Sequence, residues 1–445
     1  MKDLFDVKIT TKSIESLREL RKFSLDLQRQ TSRQEERDRF SIRGILSQDQ
    51  ISELKDAHYE VLVLDDLIDL AELRDRDLHT ENRFAGAPLT AEMHTLTGEG
   101  YLSADEVEEA LKNMSNEYSD LVSLIELPNK TWEERVSHAV LIGAGEKQVR
   151  KGVLFTGSMH AREWGGSDIC ISFLINLINA YKNNDPLQYG GKVFSASQIQ
   201  TIFETIDLFV FPDINPDGKN YSQSVEKMWR KNRNPNLNIN SQHLGVDLNR
   251  NFDLLWDSGI GTSENPVDNI YKGEEPFSEP ETRNILYLID HFPNIGYYVD
   301  IHSYSELILH CWGHDDNQTT DPNQYFNNPE FDGQRANQAY PYREFISPVD
   351  EIVTVGVASS LNKALNAVRG RNYLVQQGVG LYPTTGTSSD YAYSRHQVNV
   401  SNSEIMAFTF EFGEEFIPPY NEMKKIIKDV SSAMTELCWI ACSDI

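Results

Sequence analysis

Apolar and polar positions follow two different periods along this chain of 445 residues. Short runs rich in β-branched and aromatic residues, GVLFTG (152–157), IDLFVF (206–211), YYVDIHSY (297–304), LILHCW (307–312) and IMAFTFEFG (405–413), read as strands, the first of them buried. Between them the period lengthens to that of helices. YLSADEVEEALKNMSNEYSDL opens on Ser103 with an acid three residues later, a capping box, and SDICISFLINLINAYK lines up Ile169, Phe173, Leu177 and Tyr181. NEMKKIIKDVSSAMTELCWIA closes the chain with a stripe of Met423, Ile426, Ile427, Val430, Met434 and Leu437, the pattern of core packing. Strands alternating with helices predict an α/β domain over 101–445, with a mixed, largely parallel central sheet flanked by helices.

The first 70 residues follow a separate pattern. FDVKI, SIESLRELRKFSLDL, FSIRGIL, SQDQISELKDAH and YEVLVLDD alternate strand-like with helical runs, which predicts a small βαβαβ unit, an α+β domain over 1–70. Residues 71–100 are charged and turn-forming, the composition of a linker. The triplet RDR, Arg74 to Arg76, falls in that linker, where a trypsin-like protease is expected to reach it.

Charge narrows the classes of partner. Acidic residues outnumber basic ones 68 to 41, a net charge of -27 that repels phosphate backbones, so nucleic acid is not an expected partner. No run reaches the ~18 apolar residues of a membrane span, so no membrane partner is expected. MKDLFDVKITTKSIESL has no apolar h-region, which makes a cytoplasmic location the plain expectation unless a leader has been removed. Cys170, Cys311, Cys438 and Cys442 are scattered, and the last two are spaced i,i+4 on a helix, so all four are expected as buried thiols.

The candidate chemistry starts at TGSMHAREWGGSD (156–168), which places His160 and Glu163 just after a buried strand. A catalytic zinc takes three protein donors, typically two His and an acid, and keeps a fourth position open. His302 in YYVDIHSY, at the end of another strand, is the best third donor, since sites in open α/β sheets gather at carboxyl ends of strands. His-x-x-Glu alone is more often a surface ion pair. What changes the balance is the set of guanidinium groups in HAREW (Arg162), MWRKNRNPN (Arg230) and GVDLNRNFD (Arg250), which a structural site has no use for and an anion or oxyanion does.

HAREW, NPDG, WRK, GVDLNRN, IHSYS, GLYPTTGTSSD and FTFEFG, in this order, resemble the zinc metallocarboxypeptidases of the A/B type over roughly residues 100 to 440. The resemblance implies one Zn2+ per chain held by His160, Glu163 and His302, with Asp247 behind His160. It implies Glu411 as general base and Arg230 as stabiliser of the oxyanion. Asn249, Arg250 and Tyr382 would hold the terminal carboxylate of a peptide or protein substrate, with Arg162 and Tyr304 in the next subsite. Phe416 is expected at the wall of the side-chain pocket, with Leu309, Gly313, Thr387 and Ser389 in or near its floor. With no acid at position 389, the resemblance implies release of neutral, apolar or aromatic C-terminal residues.

Two alternatives remain at this stage. One is a related zinc amidohydrolase acting on glutamyl, acyl-amino-acid or peptidoglycan-derived substrates; the other is a catalytically inactive binding protein. The N-terminal unit resembles the propeptides of this family, with an ordinary accessory domain as its alternative. The helix within SPVDEIVTVGVASSLNKALNAVRG is expected beside the cleft entrance. His310 and His314 are expected outside the metal shell, and Asp315, Asp316 and Asp321 in a solvated loop.

Overall fold

The computed structural model describes residues 3–23, 25–36, 38–79, 81–85, 100–146, 150–235, 244–337 and 339–443. The N-terminal unit is a sheet of strands β1 (Leu4–Thr11), β2 (Asp26–Glu36), β3 (Arg39–Ser47) and β4 (Glu60–Asp66), in the order β2-β3-β1-β4 and antiparallel throughout. Helices α1 (Ile14–Glu19) and α2 (Gln48–Asp56) cover one face. Val7, Ile9, Leu20, Ile42, Leu46, Ile51 and Leu54 form a core of their own between them.

This is the expected α+β unit with one strand more than the sequence suggested. The helix expected across 13–27 ends within two turns, and the polar stretch from Asp26 becomes β2. Its alternation is hard to see because β2 lies at a sheet edge, where neither face demands an apolar row.

The large domain is built on eight strands. In chain order they are β5 (Val122–Glu126), β6 (His138–Ile142), β7 (Lys151–Gly157), β8 (Ile206–Phe211), β9 (Ile295–His302), β10 (Leu307–His310), β11 (Leu374–Gln377) and β12 (Met406–Glu411). Their spatial order is β11-β10-β12-β9-β7-β8-β6-β5. The four central strands β12, β9, β7 and β8 run parallel, while β6 pairs antiparallel with β8 and β10 with β12. The sheet is therefore mixed with a parallel centre, as expected. β5, β6 and β11 were not foreseen: two lie toward one edge and the third is the opposite edge.

The continuous apolar reading of the central strands follows from helices on both faces. Val153, Phe155, Leu208, Val210, Val299, Ile301, Phe408 and Phe410 belong to one core cluster. Leu154, Phe209, Phe211, Tyr298 and Ala407, one step out of phase, belong to the other. Helices α4 (Ala104–Glu117), α5 (Gly165–Asn183), α6 (Ala196–Thr205), α9 (Pro348–Arg369) and α11 (Tyr420–Ala441) supply the first face; α8 (Pro280–His291) and α10 (Ser388–Val398) supply the second. The short α7 (Pro216–Ser224) follows β8 and leads toward Arg230. Ser103 closes the expected capping box, accepting from the Glu106 N–H.

Two expectations about peripheral segments need correction. Helix α9 does not border the cleft: it packs on α11, where Arg369 donates to Asp429 at 2.7 Å and Glu422 at 2.6 Å. Its Val357, Ala358, Leu361 and Leu365 are spent on the core. The linker is no loose tether where RDR sits. Residues 67–72 form helix α3, 73–77 a 3-10 turn, and Arg74 is buried against the large domain; of the expected 71–100 linker, 80 and 86–99 lie outside the described residues. The cysteines are free thiols, three buried and Cys442 half-buried.

Candidate active site

Three adjacent parallel strands end at one place, and each delivers a polar residue there. His302 is the last residue of β9 and Glu411 the last of β12, in register across the ladder. His160 and Glu163 lie in the short turn between β7 and α5. Two glycines allow that turn to be tight: a Cβ on Gly166 would lie 2.7 Å from the Ser158 nitrogen, and one on Gly157 3.1 Å from the Gly166 carbonyl. The start of α5 is thus pressed onto the end of β7.

The ligand atoms of His160, Glu163 and His302 all fall within 4.8 Å of one another, and all three residues are buried. His160 Nδ1 lies 2.8 Å from Glu163 Oε1 and 3.0 Å from His302 Nδ1, which is 2.9 Å from Glu163 Oε2. Donors around one tetrahedral zinc stand roughly 3.3 Å apart, given metal–nitrogen distances near ~2.0 Å, so the residues fit the ion. The outer nitrogens are fixed too. His160 Nε2–H donates to Asp247 Oδ1 at 3.1 Å and His302 Nε2–H to Asp300 Oδ2 at 2.9 Å, leaving each Nδ1 lone pair facing inward.

The electrostatics favour a cation at this point. Burial works against a charged His302, yet Asp300 and Glu163 overcome it and raise its pKa well above the usual value. Burial likewise opposes an ionised Glu163, but the facing imidazoles bring its carboxyl below the ordinary range. Asp247 is held well below the usual carboxylate range against its burial, principally by Arg230 and then Arg250.

Arg230 donates from Nε and Nη2 to Asp247 Oδ2 at 3.0 and 2.8 Å, which turns Nη1 toward the donor triad, 3.3 Å from His160 Nδ1. Glu411 is half-buried, and its carboxylate takes no hydrogen bond from any described residue. Burial, the largest influence, pushes its pKa up to about 8, with His302 pulling it down and Glu163 pushing it further up. A carboxylate of this kind, with free lone pairs beside a metal triad, suits proton transfer.

The 3-10 turn Leu248–Arg250 carries the next group. Asp247 caps it by accepting from the Asn249 N–H at 3.1 Å. Asn249 Oδ1 accepts from the Ser388 N–H at 2.9 Å, which leaves its amide NH2 for a ligand. Arg250 donates Nε–H to the Gly261 carbonyl at 2.8 Å and from Nη1 to the Asn249 carbonyl at 2.6 Å, while Tyr382 places its ring 5.9 Å from the guanidinium carbon. Arg162 is buried with its guanidinium 4.0 Å above the Phe416 ring, and Tyr304 meets that ring edge-on at 4.8 Å. Apart from Asp247 and the pocket-floor residues Leu309, Gly313, Thr387 and Ser389, the expected site residues line one cleft or the metal triad within it, together with Phe416.

Ser389 lines a second, adjoining pocket with Leu309, Gly313, Leu381, Thr387 and Thr409. Phe416 is not part of that pocket, contrary to expectation. The short loop after Glu411 carries it to the Arg162 side instead. His310, at the end of β10, borders the pocket, and His314 is a buried partner of Glu344 at 2.7 Å, so both stay outside the metal triad.

Two participants were missed by sequence reasoning. Asp300 had a usable signal, because a residue two before a strand-end histidine faces the same way. Asp26 had none: it reaches the cleft from β2 of the N-terminal unit and accepts from Arg162 Nη2 at 3.0 Å. Ile45 of β3 lines the cleft beside it.

The zinc carboxypeptidase family profile matches residues 107–433, and the chain belongs to that family. Carboxypeptidase A4 of Mus musculus is 28% identical over 302 residues, which cover 68% of this chain and 60% of the mouse protein's length. Carboxypeptidase B of Astacus astacus is 28% identical over 327 residues, covering 73% of this chain and 91% of that protein. In fold the chain is similar to the carboxypeptidase A structure from Helicoverpa armigera, with a TM-score of 0.72 at 19% identity over 99% of this chain and 98% of the other.

Proposed function

We propose that this protein is a zinc-dependent exopeptidase that hydrolyses the C-terminal peptide bond of peptides and proteins. Arg250 carries the reading. It is 2% exposed, its Nε and Nη1 are spent on backbone carbonyls, and no carboxylate among the described residues pairs with it. A buried guanidinium beside a metal triad is costly without an anion, and a substrate's terminal carboxylate answers that need. Asn249 offers its amide to the same group, and Tyr382 lies over it.

Zinc held by His160, Glu163 and His302 supplies Lewis acidity and lowers the pKa of a nearby water. Glu411 takes the proton of the attacking water and returns it to the leaving amine. Arg230 Nη1, aimed by its two bonds to Asp247, holds the developing oxyanion. Arg162 and Tyr304 hold the peptide one residue upstream.

The pocket beyond the carboxylate clamp supports neutral, apolar or aromatic C-terminal side chains. Leu309 and Leu381 wall it, and Thr409 donates to Ser389 Oγ at 3.3 Å across its floor. Asp390 also borders it but is engaged by the Gly313 N–H at 2.8 Å. The N-terminal unit, with Asp26 on Arg162 and Ile45 over the cleft, suits an occluding, propeptide-like role.

A panel of blocked dipeptides differing in the last residue, each as free acid and as amide, tests the reading. Free acids should be cleaved in a chelator-sensitive way, and amidation should lower kcat/KM by at least ~10²-fold, the loss of a charge-assisted pair. Equal rates on acid and amide would remove the exopeptidase assignment.

A further inference from the structure

The segment joining the two domains contains a buried arginine that the proposed chemistry does not use. Arg74, in the 3-10 turn Leu73–Asp77, is 5% exposed. Its Nε–H donates to the Ile417 carbonyl at 2.9 Å, and its Nη2 donates to Glu415 Oε2 at 3.0 Å. These two partners flank Phe416. The Phe416 ring lies under Arg162 and against Tyr304, and its carbonyl accepts from Ser303 Oγ at 3.1 Å. One guanidinium therefore grips both neighbours of the aromatic residue that forms the Arg162 side of the cleft.

The surrounding contacts make the grip a built feature. The Asp77 carbonyl accepts from the Tyr101 N–H at 2.8 Å, and Tyr101 in turn donates its hydroxyl to the Pro418 carbonyl at 2.5 Å. Asp77 Oδ2 accepts from the Tyr420 N–H at 3.2 Å. Lys227 pairs with Asp75 at 2.5 Å. Farther on, Arg83 pairs with the buried Glu106 at 2.7 Å, and Phe84 is wholly buried in the large domain's core. Residues 73–79 and 81–85 are thus packed with the large domain, while β1 to β4 keep a core of their own.

The loop FGEEFIPPY, 412–420, begins directly after Glu411 and is short. Among the described residues its inner wall is held by Ser303 on one side and by Arg74 and Tyr101 on the other. We propose that Arg74 is a positioning residue for the upstream peptide subsite: it fixes Phe416, and through it Arg162 and Tyr304. Residues 73–79 and 81–85 then act as part of the catalytic unit, and a cut at RDR, which would separate Arg74 from that unit, loosens the subsite even as it frees the cleft. The substrate side of this inference rests on the exopeptidase reading above; the structural side does not.

The test compares Arg74→Gln, Arg74→Lys and Glu415→Gln in the full chain carrying Asp26→Ala, so that Arg162 is open to peptide in every sample. Two readouts are taken: kinetics on a blocked dipeptide and a blocked tetrapeptide, and amide hydrogen exchange of residues 413–418. Arg74→Gln is expected to raise KM for the tetrapeptide about tenfold and for the dipeptide, which reaches only the start of that subsite, by clearly less, with kcat and zinc content unchanged, in line with the loss of charge-assisted hydrogen bonds. Arg74→Lys, which reaches one partner but not both, should fall between, and Glu415→Gln should follow in the same direction with a smaller effect. Exchange of 413–418 should quicken at least about tenfold with that of α11 unchanged, since opening becomes local.

Equal losses on both peptides, or exchange at 413–418 no faster than in the parent, would overturn the proposal. If the parent cleaves neither peptide, the exopeptidase reading fails while the exchange comparison still decides the role of Arg74. If Arg74→Gln does not fold, Glu415→Gln, altered at a half-exposed surface position, carries the same comparison.

Discussion

Glu411 and Asp300 each sit one residue's reach from the metal triad, and single-atom changes at them should separate proton transfer from coordination. Glu411→Gln keeps the shape of the cleft and removes the base, so it is expected to bind one zinc per chain yet lose ~10²–10⁴ in kcat. Turnover near the parent level in zinc-loaded Glu411→Gln would require another base. Asp300→Asn leaves both ligating nitrogens in place but weakens the acceptor behind His302 Nε2–H, which should cost 10–100-fold in zinc affinity by roughly the usual range, read by chelator competition. At this scale the site was largely legible. His160, Glu163 and His302 lie at strand ends where convergence is expected, and the motifs that resemble the family brought Asp247, Arg230, Asn249 and Arg250 to the same place. Phe416 was placed in the wrong pocket because its position depends on loop length after Glu411, and loop paths are set by what grips them.

At the scale of elements, the site depends on how closely α5 approaches the end of β7. Gly166 faces the Ser158 nitrogen so closely that an added Cβ would stand 2.7 Å away, and the obstacle is backbone that cannot swing aside. Gly166→Ala should therefore destabilise the chain by about 1–3 kcal/mol, the usual cost of overpacking, with an unchanged denaturant slope in urea titration. It should also weaken zinc binding, because the 158–164 turn carries two of three donors. An unaltered midpoint would mean that helix and strand are not in fact pressed together.

The helices and the central strands were readable from periodicity because burial on one or both faces imposes it. β2, β5 and β11 were not, since strands at sheet edges are freer in composition, and β6 was missed although its AVLI run is as buried as the central strands. The α9 helix was recognised but misplaced: its apolar stripe said that it packs, and nothing in the sequence said that α11 would be the surface it packs on.

At the scale of the whole molecule, two units meet over one cleft, and this relation was the least legible, because Asp26 lies in a polar edge strand with no motif that would set it opposite Arg162. Asp26 is about a third exposed and Arg162 almost wholly buried, so the pair lies at the boundary between solvent and the closed cleft. Among the described residues Arg162 Nε and Nη1 have no hydrogen-bond partner, which leaves the guanidinium half-satisfied.

Asp26→Ala should raise kcat/KM on a blocked tetrapeptide up to about fivefold, the upper range of a partly exposed ion pair, and change the blocked dipeptide less. Salt should act in the same direction. Screening over a Debye length of ~10 Å at 0.1 M weakens the pair, so adding salt should bring the parent toward the Asp26→Ala level while leaving the variant nearly unchanged. Parent and variant with the same kinetics on both peptides at every salt concentration would assign the N-terminal unit to an accessory role instead of occlusion.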